Sequence, residues 1–419
     1  DHSGVLVGLT NIGEVIGYSK ENGKIVPTEG QLLYRGIDIN DLVKGIQKSK
    51  RHGFDEVIFL LLTGRLPASE ELKIFEGFMA GHREIPGKVV NSFILSLSGR
   101  NIMNMLARTV LGLYTLDQET NDLSRYNQVR QSLELTAKFP AIIIYAYFGM
   151  RHKYYHEALI IRPPRCDLST AENFLYMLKG EEYTSLEAEL LDLSLILHAE
   201  HGGGNNSSFT IRVTSSSGTD TYSAITSALA ALKGHLHGGA NLKALDMIDD
   251  IKENVKDWDN DTELSAYLLK ILNKKAHDHS GKIYGIGHAV YTYSDPRAIL
   301  LKARAGELAK EKGMEAEFRL YENIERLAPL VFAEFKGVKS KILCANVDFY
   351  SGFVYTAINI PKEIFTPLFA MARVAGWCAH RIEELNFDAK RIIRPAYKNV
   401  FGHKEYIPIE QREAGTIKF

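Results

Sequence analysis

The chain has 419 residues, more than the roughly 250 to 300 at which one hydrophobic core usually stops growing, so two domains are expected. A formal net charge of −1 leaves no basic excess, which argues against nucleic acid as a partner. The longest apolar stretch, residues 139–150, is too short to span a bilayer, and no membrane association is expected. Cys166, Cys344 and Cys378 fit neither a disulfide framework nor a zinc motif, which favours the cytoplasm.

The predicted elements begin with strands and continue mainly as helices. Residues 5–36 mix β-branched residues with Asn-Gly, Pro and Gly, which predicts a small antiparallel element. Thr184 and Glu187 form a capping-box pattern ahead of a leucine-rich run, which predicts a helix that continues to the next glycines. His198 and His201 would then share one face of its last turns.

The next stretch predicts a loop and then another helix. Residues 202–220 are rich in Gly, Ser, Asn and Thr, and we expect a long loop at a functional site. Asp220 can cap the helix that follows, and Gly234 can end it. This helix would deliver His237 just beyond its C-terminal end.

Two later helices are expected to carry arginines. Asp295 followed by Pro296 is typical of a helix start, and it places Arg297 in the first turn, where free amides favour an anion. The Thr-Pro pair at 366–367 predicts another helix, with Arg373 near its middle. Both arginines are therefore candidates for binding carboxylates.

Three residues carry the reactive chemistry that the sequence suggests. His237 and His288 lie among glycines, which permit close approach of the backbone to a ligand, and Asp348 follows Asn-Val. Two imidazoles and a carboxylate can abstract a proton next to a carbonyl and stabilise the resulting oxyanion. Burial between apolar neighbours would raise the pKa of Asp348, whereas a helix starting nearby would lower it.

The sequence predicts neither a metal nor a redox cofactor. The histidine pairs at 198 and 201, at 235 and 237, and at 277 and 279 lack the His-Glu-x-x-His spacing of a zinc helix. No cysteine pair supports any of them. A dinucleotide-binding fold is disfavoured because no Gly-x-Gly-x-x-Gly unit follows a convincing strand.

In this order and context, the three reactive residues resemble those of the citrate synthase family. The resemblance extends along most of the chain, through residues 30–38, 61–67, 173–178, 198–205 and 394–395. It implies a mainly α-helical fold with two domains and minor β structure near the N-terminus. The implied large domain comprises residues 1–238 and 360–419, and the small domain comprises 239–359. The C-terminal tail would reach the partner subunit of a homodimer.

The resemblance also implies catalytic roles. Asp348 would take a proton from the acyl carbon next to the thioester, while His237 hydrogen-bonds the thioester oxygen. His288 would polarise the carbonyl of oxaloacetate. In the basic run 336–341, Lys341 is either a solvated loop residue or a contact to a CoA phosphate.

Five further residues match family positions that hold oxaloacetate. Arg297, Arg373 and Arg394 would grip its carboxylates, since a guanidinium pairs with a carboxylate at two points. Of these, Arg394 would act in the neighbouring subunit's site. His201 and Asn205 match positions at the same 2-oxo acid.

The implied reaction joins acetyl-CoA, oxaloacetate and water to give citrate and CoA, without a cofactor. Two alternatives stay open: a 2-methylcitrate synthase that uses propionyl-CoA, and a non-catalytic member acting as a regulatory or scaffold protein. The intact reactive residues argue against the last of these. Phe349 and Tyr350, beside Asp348, are expected to crowd the site and to favour the smaller acetyl group.

Overall fold

The computed structural model describes residues 6–338, 342–388 and 391–412. Sixteen α-helices lie in these residues, together with one three-stranded sheet near the N-terminus. The mainly α-helical class and the minor β structure expected from the sequence are therefore confirmed. Within this described part of the chain, no helix is long and apolar enough to cross a membrane.

The sheet is antiparallel and consists of β1 (Gly13–Glu21), β2 (Lys24–Tyr34) and β3 (Ile37–Asp38). Asn22 and Gly23 form the turn between β1 and β2, with φ values of 50° and 77°. Two-residue hairpin turns of type I′ need positive φ at both positions, which Asn-Gly adopts readily. The Asn-Gly pair therefore explains the hairpin.

The helices fall into two groups by their packing. The first group contains α1 (Ile39–Lys48), α2 (Phe54–Thr63), α3 (Ser69–Gly81), α4 (Gly87–Val89), α5 (Ile102–Leu113), α6 (Arg125–Tyr155), α7 (Thr170–Lys179), α8 (Ser185–His198), α9 (Asn206–Ser216), α10 (Thr221–Lys233) and α16 (Phe365–Leu385). The second contains α11 (Ala240–Asn254), α12 (Asp261–Leu272), α13 (Pro296–Lys312), α14 (Glu315–Lys336) and α15 (Val347–Ala357). Helices α11 to α15 pack mainly on one another, and α8 joins the groups through α13 and α15.

Several helix starts follow the predicted capping chemistry. Thr184 and Glu187 form a reciprocal capping box at the start of α8. Asp220 and Asp295 accept hydrogen bonds from first-turn amides of α10 and α13, at 2.8 and 3.0 Å. The helix predicted at Thr-Pro 366–367 begins at Phe365. These starts depend on neighbouring residues only, which is why the sequence predicts them.

Two predictions about the region after α8 are wrong. The helix ends at His198, so His201 lies in the following turn and does not share a helical face with it. Residues 206–216 form α9 and are not a long loop. Serine and threonine are poor helix formers, but α9 packs against α10 and α16 and buries Ile211 completely. Tertiary packing therefore outweighs local propensity here.

Candidate active site

His237 lies in a tight turn between α10 and α11. The amides of His237 and Gly238 both donate to the carbonyl oxygen of Gly234, at 2.9 and 3.0 Å. A Cβ atom on Gly238 would lie 2.2 Å from the carbonyl oxygen of Leu232. Gly238 is therefore required by the turn itself, and not only by clearance for a ligand as the sequence suggested.

The imidazole of His237 contacts Ser207, which sequence reasoning did not single out. Its Nε2 lies 3.0 Å from Oγ of Ser207, and the indole nitrogen of Trp377 donates to the same oxygen at 3.1 Å. Because an indole N–H can only donate, the serine hydrogen is left for His237 or for Asn205, whose Oδ1 is 3.1 Å away. Burial, together with the charge of Arg373, lowers the pKa of His237 to about 4. The ring is therefore neutral near pH 7.

His288 is oriented by its own loop. Its Nδ1 accepts hydrogen bonds from the amides of Val290 and Tyr291, at 3.0 and 3.1 Å. An Nδ1 that accepts amide hydrogens carries no proton, so the proton of the neutral ring is on Nε2. Burial and the charge of Arg297 lower the pKa of His288 to about 4. His288 is thus a neutral imidazole with Nε2–H available as a donor.

His201 lies next to His288, with their ring centroids 5.2 Å apart. Tyr291 stacks on the ring of His288, with ring centroids 4.7 Å apart. The sequence does not assign a role to Tyr291. Burial and the charge of Arg297 hold the pKa of His201 well below its usual value. Its Nε2 is buried and has no hydrogen-bond partner among the described residues. A neutral ring with a free nitrogen is available to a polar ligand.

Asp348 lies in the first turn of α15, where Asn346 caps the helix by accepting from the Asp348 amide at 3.1 Å. Burial raises the pKa of Asp348 to about 6, although the charges of Arg297 and Arg373 oppose the rise. The sequence left the direction of this pKa shift open, and the shift is upward, as burial predicts. The carboxylate is a stronger base than an exposed aspartate.

Backbone hydrogen bonds join the loop before His288 to the loop before Asp348. The Gly287 amide donates to the carbonyl of Cys344 at 2.7 Å, and the Asn346 amide donates to that of Gly285 at 2.9 Å. These bonds fix the two loops relative to each other. His288 and Asp348 are therefore carried by two loops that backbone hydrogen bonds join.

Arg297 lies in the first turn of α13, as predicted, and its side chain is buried. Its Nε and Nη2 donate to the carboxylate of Asp295, at 3.0 and 2.8 Å. Asp295 also accepts the amide of Val347 at 3.3 Å, which ties α13 to the start of α15. From the sequence Asp295 was expected only as a helix cap, yet it also orients the guanidinium.

The two fully buried arginines of α16 differ in how their donors are satisfied. Arg381 donates to three uncharged oxygen atoms at 2.7 to 3.2 Å. Arg373 donates through Nε to the carbonyl of His198 at 2.6 Å, whereas its Nη1 has no partner among the described residues. Burial lowers the pKa of Arg373 to about 10, so it remains a cation near pH 7. Arg373 is thus the arginine of this helix that can bind a carboxylate.

Comparison with known proteins identifies the family. The sequence profile described as "Citrate synthase, C-terminal domain" matches residues 2–396. The chain belongs to the citrate synthase family. The "Citrate synthase" of Deinococcus radiodurans is 36% identical over 387 residues, covering 92% of this chain and 94% of that protein. "Citrate synthase 2" of Bacillus subtilis is 37% identical, with 91% and 93% covered. The "2-methylcitrate synthase" of Shewanella oneidensis is 32% identical, with 91% and 92% covered.

Solved citrate synthase structures have the same architecture. The enzyme of Pyrobaculum aerophilum matches with a TM-score of 0.78 and 31% identity, covering 97% of this chain and 94% of that one. A ternary complex of the Thermoplasma acidophilum enzyme with carboxymethyl-CoA and oxaloacetate matches with a TM-score of 0.79 and 28% identity, with 97% of each chain covered. The likeness therefore extends over almost the whole chain.

This citrate synthase family chain brings most of the predicted site residues together. Those linked by ring contacts or charge interactions are His201, His237, His288, Arg297, Asp348 and Arg373. Asn205 reaches His237 only through Ser207. Arg394 is exposed in the tail after α16, where the amide of Ile393 donates to Ser216. Lys341 lies outside the described residues.

Proposed function

We propose that this chain condenses acetyl-CoA with oxaloacetate and hydrolyses the citryl-CoA intermediate to citrate and CoA. The observation that carries the proposal is the grouping of Asp348, His237 and His288 with two buried arginines, in which burial strengthens Asp348 as a base and keeps both imidazoles neutral. Enolisation next to a thioester needs this combination. The relatives named citrate synthase support the same reaction.

In the first step, Asp348 takes a proton from the methyl carbon of acetyl-CoA, and the electron pair moves to the thioester oxygen. His237 donates a hydrogen bond from Nδ1 to that oxygen. This tautomer leaves Nε2 unprotonated, so Ser207 must donate its hydroxyl hydrogen to Nε2. The proposal therefore requires that Ser207 donates its hydrogen to His237 and not to Asn205.

In the second step, the nucleophilic methylene carbon attacks the carbonyl carbon of oxaloacetate. His288 donates from Nε2–H to the carbonyl oxygen and stabilises its developing negative charge. Arg297 and Arg373 hold the carboxylates, and His201 and Asn205 contact the same substrate. The loop amides hold the ring of His288 and Asp295 holds the guanidinium of Arg297, which lowers the cost of orienting the reactants.

The proposal includes a homodimer in which Arg394 enters the partner's site. The tail that carries Arg394 exposes large apolar side chains, and Tyr397, Phe401 and Tyr406 are 94%, 75% and 81% exposed. Exposed apolar groups at this density are typical of a surface that another chain covers. A second copy of the chain would bury them and complete the site.

The large domain (1–238 and 360–419) and the small domain (239–359) would close over the substrates. His288 and Asp348 belong to the small domain, whereas Arg373 belongs to the large one. The site would therefore be complete only after closure, which excludes water from the thioester. The condensation uses side chains alone and the hydrolysis of citryl-CoA adds only water, so the proposal needs no cofactor. The proposal places the reaction in the cytoplasm.

Release of free thiol from acetyl-CoA in the presence of oxaloacetate tests the proposed function. We expect turnover that depends on both substrates, with a reaction lacking oxaloacetate as the control. If a folded protein releases no thiol from acetyl-CoA or from propionyl-CoA, it is a non-catalytic member of the family.

Acetyl-CoA is the proposed acyl donor, because the relatives at 36% and 37% identity are named citrate synthases. Phe349 and Tyr350 do not turn toward the site, contrary to the expectation from the sequence. Phe349 packs on Tyr321 with centroids 5.0 Å apart, and Tyr350 donates to Glu325 at 2.5 Å, so both side chains turn toward α14.

One methylene is worth only about 1 to 3 kcal/mol in a pocket, so the preference for acetyl-CoA should be roughly 10 to 200-fold at most. The measurement is kcat/KM for acetyl-CoA and for propionyl-CoA at saturating oxaloacetate. A higher value for propionyl-CoA would make the chain a 2-methylcitrate synthase with the same residues in the same roles.

A further inference from the structure

Glu200 immediately precedes His201, and its side chain is completely buried. Two glycines make room for it. A Cβ atom on Gly13 of β1 would lie 2.7 Å from Cγ of Glu200, and one on Gly376 of α16 would lie 2.4 Å from its Oε2. The carboxylate thus occupies a space that two separate elements leave open, and no step of the proposed reaction uses it.

One oxygen of Glu200 fixes the turn that carries His201. Oε1 accepts the amide of Gly202 at 2.6 Å and Nε2 of His380 at 2.9 Å. Nε of Arg212 donates to Nδ1 of His380 at 3.0 Å. Since Nδ1 accepts this bond, the ring's single proton is on Nε2 and points to Glu200. The contacts therefore lead from the cation of Arg212 through the neutral imidazole of His380 to the anion of Glu200.

The far end of this chain of contacts is anchored to the N-terminal segment. Arg212 donates to Glu384 at 2.8 Å and to Thr10 at 2.8 Å, and it also pairs with Glu383. Glu383 accepts the amide of Asn11 at 2.7 Å. The position of Glu200 is therefore determined by several elements, and small local changes cannot move it freely.

The other oxygen of Glu200 has a different environment. Oε2 has no hydrogen-bond partner among the described residues, and the same is true of Nη1 of Arg373. The two groups attract each other electrostatically, and Glu200 is the strongest anionic influence on Arg373. Burial alone would raise the pKa of Glu200, but His380, the charge of Arg373 and the Gly202 amide lower it below its ordinary value, so the buried carboxylate is ionised. An unpaired oxygen on a fully buried carboxylate is a feature that packing alone does not explain.

We propose that Glu200 is a positioning residue of the oxaloacetate site: one oxygen fixes the His201 turn, and its charge offsets that of Arg373. The inference rests on the proposed function, because oxaloacetate is the ligand concerned. Oxaloacetate carries two carboxylates, which the fixed anion beside Arg373 repels. Glu200 therefore holds the arginine in place in the free protein and limits how tightly substrate and product bind.

The test compares the oxaloacetate Kd, measured by titration calorimetry, for the full chain and two variants. Glu200→Gln keeps an oxygen for Gly202 and His380 but removes the charge, so oxaloacetate should bind tighter by about fivefold. Glu200→Asp keeps the charge but is too short for both donors, so binding should weaken by about fivefold or more. A purely structural role would weaken binding in both variants.

Glu383→Gln is the matched control, since it removes a negative charge from the far end of the same contacts. Its Kd should stay within about twofold of wild type. Unchanged or weaker binding in Glu200→Gln overturns the inference, as does equal tightening in the control. If circular dichroism shows that Glu200→Gln is unfolded, Glu200→Asp decides, and unchanged or tighter binding there also overturns the inference. A wild-type chain that binds no oxaloacetate would instead contradict the proposed function itself.

Discussion

Replacing Asp348 by Asn should make the protein more stable and inactive at the same time. The pKa of Asp348 rises from its ordinary value of 3.8 to about 6 in the fold. Each pKa unit corresponds to about 1.36 kcal/mol, so ionised Asp348 destabilises the native state by up to about 3 kcal/mol. The side chain is partly exposed, which makes this figure an upper bound.

The dependence of this stability difference on pH follows from the direction in which the pKa of Asp348 shifts. Because the folded pKa is raised, the native state prefers the protonated carboxyl, and the penalty applies in full above about pH 6. It disappears as the pH falls toward the unfolded pKa of about 4. Asparagine resembles the protonated form, so the stability advantage of Asp348→Asn should vanish over the same range.

Urea unfolding of wild type and Asp348→Asn, at matched protein concentration and at several pH values, measures this difference. Turnover of the variant should fall at least about a hundredfold, because the base is lost. Wild-type kcat/KM should decline tenfold per pH unit below about pH 6. Lower stability of Asp348→Asn at neutral pH, or a wild-type activity limb near pH 4, would refute the reasoning.

Two further predictions concern residues whose effect depends on another side chain or on the second subunit. Ser207→Ala removes the group that fixes the tautomer of His237, so kcat should drop by about 10 to 100-fold while the Kd of oxaloacetate stays the same. An unchanged kcat would show that another group fixes this tautomer. Arg394→Ala and Asp348→Asn, each inactive alone, should regain activity when refolded together, because some mixed dimers hold one site with neither lesion. Mixed dimers without activity would exclude Arg394 from the partner's site.

The parts of the fold that depend on neighbouring residues could be predicted from the sequence. The caps at Thr184, Asp220 and Asp295 formed as expected, because a side chain there satisfies amides of the adjacent turn. Segment 206–216 was mistaken for a loop, since its helix depends on burial against helices elsewhere in the chain.

The candidate site likewise contains residues that local motifs identify and residues that they do not. Glycine-rich motifs identified His237 and His288, but their partners could not be found in this way. Ser207 gains its position from Trp377, which is 170 residues away, and Glu200 gains its position from His380, which is 180 residues away. No local pattern distinguishes such residues, because their roles exist only after the chain has folded.

The bonds between residues 285–287 and 344–346 constrain how this site can vary. A change in the length of either segment would break these amide–carbonyl pairs and so alter the spacing of His288 and Asp348. Insertions during divergence should therefore collect outside both segments.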